Sequence, residues 1–251
     1  MAINGKDFGA KGDGTTNDSA AIQAAIDYAA ANSCSVYLPK ANYRADGLLF
    51  RSGFMIYGDG REQSIITAVA GSANTFVFGI AEGITQHTML KDIGIVAAGN
   101  AGQHEIHIWA RRGTSKAGSS GLWHAKWDCV RVYNFAGAQI WFQGGGVDAL
   151  DPIQIMEFYG MVVERRNDSA QSICVLMSGQ VNQTTRNGGR MDAFGANSAE
   201  AAGVDLKICR QLNSYDVTYN ESTTFASNKS GHTHLFNGMS FQQAQLAVIG
   251  A

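Results

Sequence analysis

The sequence predicts an all-β chain wound as a right-handed parallel β-helix, closed at its N-terminal end by one capping α-helix. Three observations predict it: a unit that recurs along the chain, apolar residues two apart within each unit, and a single helix-forming stretch near the start. The recurrence is carried by the triplets Phe76-Val77-Phe78, Ile106-His107-Ile108, Ile140-Trp141-Phe142, Ile173-Cys174-Val175 and Leu206-Lys207-Ile208, whose centres lie 30, 34, 33 and 33 residues apart. Large apolar residues at first and third positions are the mark of a strand with one face inward.

A second apolar series accompanies the first: Ile93 and Ile95, Val130 and Val132, Met161 and Val163, then Met191 to Phe194. Between the series stand Asn100, Asn134, Asn167 and Asn197, separated by 34, 33 and 30 residues. Asparagine tolerates the left-handed backbone of a sharp corner, and stacked amides can bond from coil to coil. A chain that returns to one lateral position every turn, pairing in parallel with right-handed crossovers, is a right-handed solenoid. The competing architecture is an antiparallel sandwich; tight hairpin pairs such as Asn187-Gly188 are too scarce to favour it.

The helix is read from DFGAKGDGTTNDSAAIQAAIDYAA, Asp7 to Ala30. Gly9, Gly12 and Gly14 suit a tight turn, Asn17 or Asp18 is placed to accept from the first helical amides, and Ile22 and Ile26 share a face with Ala21, Ala25 and Ala29. The glycines lack the Lys-Ser/Thr pair that completes a phosphate loop. Val36 and Leu38 then alternate in a strand that Pro39 stops, and Tyr43 opens the next.

The run DFGAKGDGTTNDSAAIQAAID followed by VYLPKANYRADG resembles the opening of the pectate-lyase-like superfamily, the right-handed β-helices that include phage tailspikes and polysaccharide-degrading enzymes. The resemblance implies that the helix caps the first coil and that the chain acts on polysaccharide, most like a tailspike depolymerase. It does not carry over catalytic residues. Of the Asn-x-Asp, Asp-Asp, Gly-His-Gly and Arg-x-Lys set of polygalacturonases, only Gly231-His232-Thr233 offers a partial match, and no Asp-Asp pair occurs. The chain is expected to divide into an N-terminal cap, 1–45, and a β-helix, 46–251, cut short at its C-terminal end. QLAVIGA is an apolar ending that a further segment or a threefold partner would cover.

Only 16% of the 251 residues are charged and the net charge is −2, which favours neither nucleic acid nor membrane as partner. MAINGKDFGA lacks the regions of a signal peptide. Cys34, Cys129, Cys174 and Cys209 have no metal or redox spacing and read as reduced thiols. No metal and no cofactor is expected.

The repeat also sorts residues by face. The middle residues Val77, His107, Trp141, Cys174 and Lys207 form an outward column, flanked by Glu105, Trp109, Gln139, Gln143 and Asp205. Exposed indoles are platforms for the C–H faces of sugars. Insertions at Ala110–Lys126, Gln143–Gln154 and Met177–Arg190 are expected to stack as loops along one edge. Together these give one groove. Its candidate acids and bases are Asp148, Asp151 and Glu157 first, then Glu105 with His107; its candidate substrate contacts are Trp109, Trp123, Trp141, Arg111, Arg112, His124, Arg186 and Arg190.

Two carboxyls about 5 to 9.5 Å apart would hydrolyse a glycoside. On a uronic acid polymer, His107 or His124 would instead remove the proton next to the carboxylate while an arginine offsets the charge. The expected partner is a bacterial surface polysaccharide, met by a homotrimer on a phage tail at the cell surface, or by an extracellular protein. A receptor-binding tail protein or adhesin without cleavage is the alternative.

Overall fold

The computed structural model describes residues 1–70, 76–80, 83–97, 104–109, 121–133, 138–143, 153–164, 173–178, 181–187, 190–192, 209–212, 217–219 and 234–236. Every strand pairing among them is parallel. A sandwich is thereby excluded, and the chain is a right-handed parallel β-helix.

Three sheets run up the solenoid, one more than the two apolar series indicate. Sheet I climbs through Ser35–Leu38, Met55–Gly58, Met89–Lys91, Gly121–Asp128, Ile153–Tyr159 and Val181–Asn187. Sheet II holds the second apolar series, in Ser64–Thr67, Gly94–Val96, Arg131–Tyr133, Val162–Glu164 and Arg190–Asp192. Sheet III holds the triplets, in Leu48–Phe50, Phe76–Ile80, His104–Trp109, Ala138–Gln143, Ile173–Ser178 and Cys209–Leu212.

The extra sheet corrects the expected loop wall. Part of each insertion is strand of sheet I: Trp123 and His124 lie in Gly121–Asp128, Gln154 in Ile153–Tyr159, and Arg186 in Val181–Asn187. The reason is local. In GLWHAKWD the alternation is interrupted at His124, whose φ of 54° adds one residue between the inward Leu122 and the inward Ala125 and Trp127. His87 and Ile155 take the same left-handed turn, and the rings of His87 and His124 stack at 4.9 Å. In VNQTTRN no apolar alternation exists to be read.

The corners expected at Asn100, Asn134, Asn167 and Asn197 lie outside the described residues. A different corner, from sheet I to sheet II, is turned by Asp92, Cys129 and Gly160, all at positive φ.

The core is built from inward columns. Val36, Ile56, Leu90, Trp127 and Phe158 stand in register on sheet I. Tyr43, Ile66, Ile95, Val132 and Val163 do so on sheet II. Each such side chain gains roughly 1.5–3 kcal/mol by leaving water. Phe50 joins the columns, its ring stacked on Phe78 at 5.0 Å and on Trp127 at 6.2 Å.

On sheet III, Ile106 pairs with Ile140 as expected, but Ile140 pairs with Val175 and not with Ile173, and Ile106 pairs with Phe78 and not with Phe76. In both cases the actual partner lies two residues from the expected one. A partner that moves by an even number of residues does not disturb the alternation of a strand, so the vertical partners can change without a change of face. Val77 is a further correction, being fully buried in the core. Leu206 and Lys207 lie outside the described residues.

The cap is the helix Ser19–Ala31, which buries Ile22, Ala25, Ile26 and Ala29 against the first coil. Asn17 accepts from the Ser19 amide at 3.0 Å. Asp18 instead holds the glycine turn, its carboxylate accepting from the amides of Lys11 at 2.6 Å and Gly12 at 3.1 Å. No helix among the described residues is long and apolar enough to cross a membrane.

Candidate functional site

The outer face of sheet III is built by strand alternation. Ile106 and Ile108 point into the core, so His107 between them points out; Ile140 and Phe142 do the same for Trp141. Parallel pairing sets His107 against Trp141 on the next coil, and the rings stack with centroids 4.4 Å apart and planes 4° from parallel. Gln143, two residues along from Trp141, reaches back to place Oε1 3.0 Å from His107 Nε2. On the preceding coil Gly79 follows Phe78, the partner of Ile106, and a Cβ there would lie 2.7 Å from the Phe76 ring. That glycine makes room for an aromatic ring on the tier below His107.

This face is covered. His107 is only 9% exposed, Gln139 is fully buried, and Trp141 and Gln143 are half-buried. The expectation of an open indole platform is corrected accordingly: Trp141 gives one face of its ring to His107. Glu105 and Trp109 lie on the same strand as His107, at alternate positions.

Other expected site residues are placed elsewhere. Glu157 is on sheet I in register with Lys126 and accepts a hydrogen bond from the Tyr159 hydroxyl at 3.1 Å, which raises the tyrosine's pKa. The Lys126 ammonium sits 4.5 Å over the Tyr159 ring. Trp123 is half-buried and His124 exposed, both on sheet I. Arg186 stands in register with the core residue Phe158. Arg190 is on sheet II, paired with Val162. The described members of the groove expected from the sequence are thus distributed over three sheets. Asp148, Asp151, Arg111 and Arg112 lie outside the described residues.

Sequence reasoning missed a second cluster, at the corner of sheets I and II. A groove of about 880 Å³ there is lined by Arg61, Glu62, Asp92, Cys129, Arg131 and Glu164, among others. Arg131 donates to Glu164 through Nε at 2.8 Å and Nη2 at 2.6 Å, to Glu62 through Nη1 at 2.5 Å, and lies 4.1 Å over the Tyr133 ring. Burial opposes the Arg131 charge, but hydrogen bonding to Glu164 and the two carboxylates together raise its pKa. Burial pushes the Cys129 thiol up. Cys34 and Cys129 are free thiols. The only sequence signal for this cluster is Arg131 and Glu164 flanking apolar residues of the second series. Among the described residues no group of three or more His, Cys, Asp or Glu is placed to hold a metal ion.

Residues 2–114 match the family described as "Rhamnogalacturonase A/epimerase, pectate lyase-like". The match covers less than half of the chain: residues 2–114 are similar to a pectate-lyase-like family, in a chain whose fold is a right-handed parallel β-helix. More particularly, its N-terminal segment is similar to the rhamnogalacturonase A/epimerase type.

The chain is 46% identical over 80 residues to alginate lyase 7 of Azotobacter vinelandii, an alignment covering 28% of this chain and 9% of that protein. It is 44% identical over 81 residues to mannuronan C5-epimerase AlgE4 of the same organism, covering 29% of this chain and 15% of that protein. These matches therefore span a small part of the relatives' length. The solved A-module of AlgE4 superposes with a TM-score of 0.43 at 19% identity, covering 90% of this chain and 79% of the module.

Proposed function

We propose that this protein is a polysaccharide-modifying enzyme whose substrate is an acidic, uronate-containing bacterial polysaccharide, and that His107 on the outer face of sheet III is its base. The observation that carries the reading is the ring of His107 held between Trp141 and Gln143 on a covered strand face. An imidazole removes protons near neutral pH, and a water-poor surrounding strengthens its electrostatic interactions. The names of the relatives supply the substrate class: one is a lyase of alginate, the other an epimerase of mannuronan at C5.

Both chemistries begin by breaking the C5–H bond next to the uronate carboxylate. In elimination His107 takes that proton, the C–H electron pair forms the C4=C5 double bond, and the C4–O4 bond breaks with its oxygen gaining a proton. Epimerisation returns a proton to the opposite face of C5 without cleavage. The finer proposal, supported by the resemblance of the opening motif, is a trimeric phage tailspike that depolymerises a capsule, exopolysaccharide or O-antigen at the host surface.

The test is incubation of the protein with polymannuronate, polygalacturonate and host capsule. New reducing ends with the absorbance of an unsaturated uronate indicate elimination. Deuterium uptake from heavy water without cleavage indicates epimerisation. Reducing ends without the absorbance indicate hydrolysis and move the chemistry to carboxylates such as Glu105 or Glu157. Binding without product supports the receptor-binding alternative. His107→Gln is expected to lower turnover by at least about 100-fold, the worth of a general base; full turnover by that variant overturns the assignment.

A further inference from the structure

We propose that His87 and His124, stacked on adjacent coils along sheet I, form a binding site for a divalent transition-metal ion of the Zn²⁺, Ni²⁺ or Cu²⁺ type. The site is separate from the outer face of sheet III, and nothing in it depends on the reading of His107.

The backbone makes the pair. Gln86 is in register with Trp123 and Met89 with Lys126, so His87 stands opposite His124. Counting on from the Trp123–Gln154 and Met55–Met89 pairs places Ile155 on the coil above and Gly53 on the coil below. All four residues are left-handed, with φ of 73°, 55°, 54° and 57° from Gly53 to Ile155. The bend therefore asks each coil for a left-handed residue and not for an imidazole, since glycine and even a β-branched residue serve it.

Both imidazoles are exposed, with centroids 4.9 Å apart and planes 15° from parallel. Neither ring makes a hydrogen bond or an ion pair among the described residues. Their acceptor nitrogens are thus unoccupied. The space beside Gly53 is open as well, because a Cβ there would meet nothing within 4 Å.

The surroundings select the ion. Ser52, Gln86, Thr88, Trp123, Ala125 and Gln154, the positions next to the column, carry no charge. No carboxylate stands among them for Ca²⁺ or Mg²⁺, which take oxygen ligands. Neutral imidazole nitrogen suits Zn²⁺, Ni²⁺ and Cu²⁺. An anion would find no free cation either, since Lys126, two positions from His124, sits 4.5 Å over the Tyr159 ring.

Zinc holds each nitrogen at about 2.0–2.1 Å, which sets two ligating nitrogens roughly 3.3 Å apart in a tetrahedron. That is closer than the ring separation, so the imidazoles tilt out of their stack toward the ion, a rotation that exposed side chains make readily. Water or a donor from outside completes the coordination. The sequence pattern does not announce such a site, because the two histidines are 37 residues apart and no short spacing joins them.

The experiment is a Zn²⁺ titration of the full chain with ¹⁵N-labelled histidines, followed by NMR at about pH 7.5, where an unperturbed imidazole is mostly neutral. The two signals are identified by their loss in His87→Asn and His124→Asn. Asparagine accepts a left-handed backbone, so both variants are expected to melt within a few degrees of the wild type. In the wild type both imidazoles are expected to shift together, with one midpoint. In each variant the remaining imidazole is expected to need at least about tenfold more Zn²⁺. Zn²⁺ is also expected to raise the melting temperature of the wild type more than that of either variant. Ca²⁺ at the same concentrations is expected to move neither signal, and at about pH 5.5 the Zn²⁺ shift is lost as protons compete. Separate midpoints for the two imidazoles in the wild type, an unchanged midpoint for His87 in His124→Asn, or an equal response to Ca²⁺ overturns the proposal.

Discussion

His107 and Trp141 occupy one register position on adjacent strands, 34 residues apart in sequence, with rings parallel to 4° and 4.4 Å between centroids. A stacked aromatic pair contributes about 0.5–1.5 kcal/mol beyond burial. The larger effect is on orientation, since the imidazole must meet the substrate hydrogen within a narrow range of angles. Trp141→Leu is expected to lower kcat on the responsive polysaccharide roughly tenfold or more, while Trp141→Phe, which keeps a face for stacking, recovers most of it. Steady-state kinetics of the two variants check this; equal losses in both would show that the stack does not orient the base.

The Arg131 cluster predicts two unequal carboxylates. Glu62 and Glu164 lie at similar distances from the guanidinium, 2.5 and 2.6 Å, yet their side chains are 59% and 8% exposed. Removing one member of a buried pair strands the other, at a cost of about 3–5 kcal/mol, whereas an exposed pair is worth about 0–1 kcal/mol. Arg131 keeps some access to solvent, so Glu164→Ala is expected to cost about 3 kcal/mol and Glu62→Ala less than about 1. Denaturant titrations of both variants test the ratio, and similar losses would refute it.

How much of the molecule was legible in advance follows from what each residue type signals. The β-helix was readable because Ile106, Ile108, Ile140 and Phe142 are apolar at a period of two and recur coil after coil. The cap was readable from Ile22 and Ile26 on one helical face. Sheet I was harder, because His124 breaks the period at a positive φ and Val181–Asn187 is polar after its first residue. The vertical partners were not readable either, since a partner two residues from the expected one fits the same alternation of apolar residues. His107 and Trp141 were correctly paired as outward neighbours because both sit between core residues. Their mutual stacking depends on side-chain angles that no pattern encodes.

The Tyr37 hydroxyl donates to Asp59 Oδ1 at 2.6 Å, and Asp59 Oδ2 accepts from the Lys40 amide at 2.7 Å. Hydrogen bonding to Tyr37 lowers the Asp59 pKa, and the same bond raises the Tyr37 pKa. The bond needs an ionised carboxylate and a protonated phenol. A lowered acid pKa gives stability that is present above the unfolded value, near 4, and lost as pH falls through the folded value. A raised phenol pKa gives stability that is full below about 10 and lost as pH rises through the folded value. The difference in melting temperature between wild type and Tyr37→Phe is therefore expected to be greatest from about pH 5 to 9 and to shrink on both sides. A difference that does not vary with pH would show that the phenol acts by packing alone.

Asp18 and Gly12 join the cap to the first coil, and each is expected to be sensitive for its own reason. Asp18 is 1% exposed, and its carboxylate takes the Lys11 and Gly12 amides. Replacing it by Ala removes the acceptor of two part-buried amides, which costs about 1–3 kcal/mol in all. Gly12 has φ of 64°, and a Cβ there would lie 2.6 Å from the Ala41 side chain. Gly12→Ala therefore combines a left-handed backbone penalty of about 1–2 kcal/mol with a steric clash. If the cap protects the first coil, both variants should expose the amides of Val36 and Ile56 to faster hydrogen exchange while those of Ile140 are unchanged, because a solenoid passes strain mainly to its neighbouring coils. Faster exchange at Ile140 as well would mean that the helix and all coils unfold as one unit.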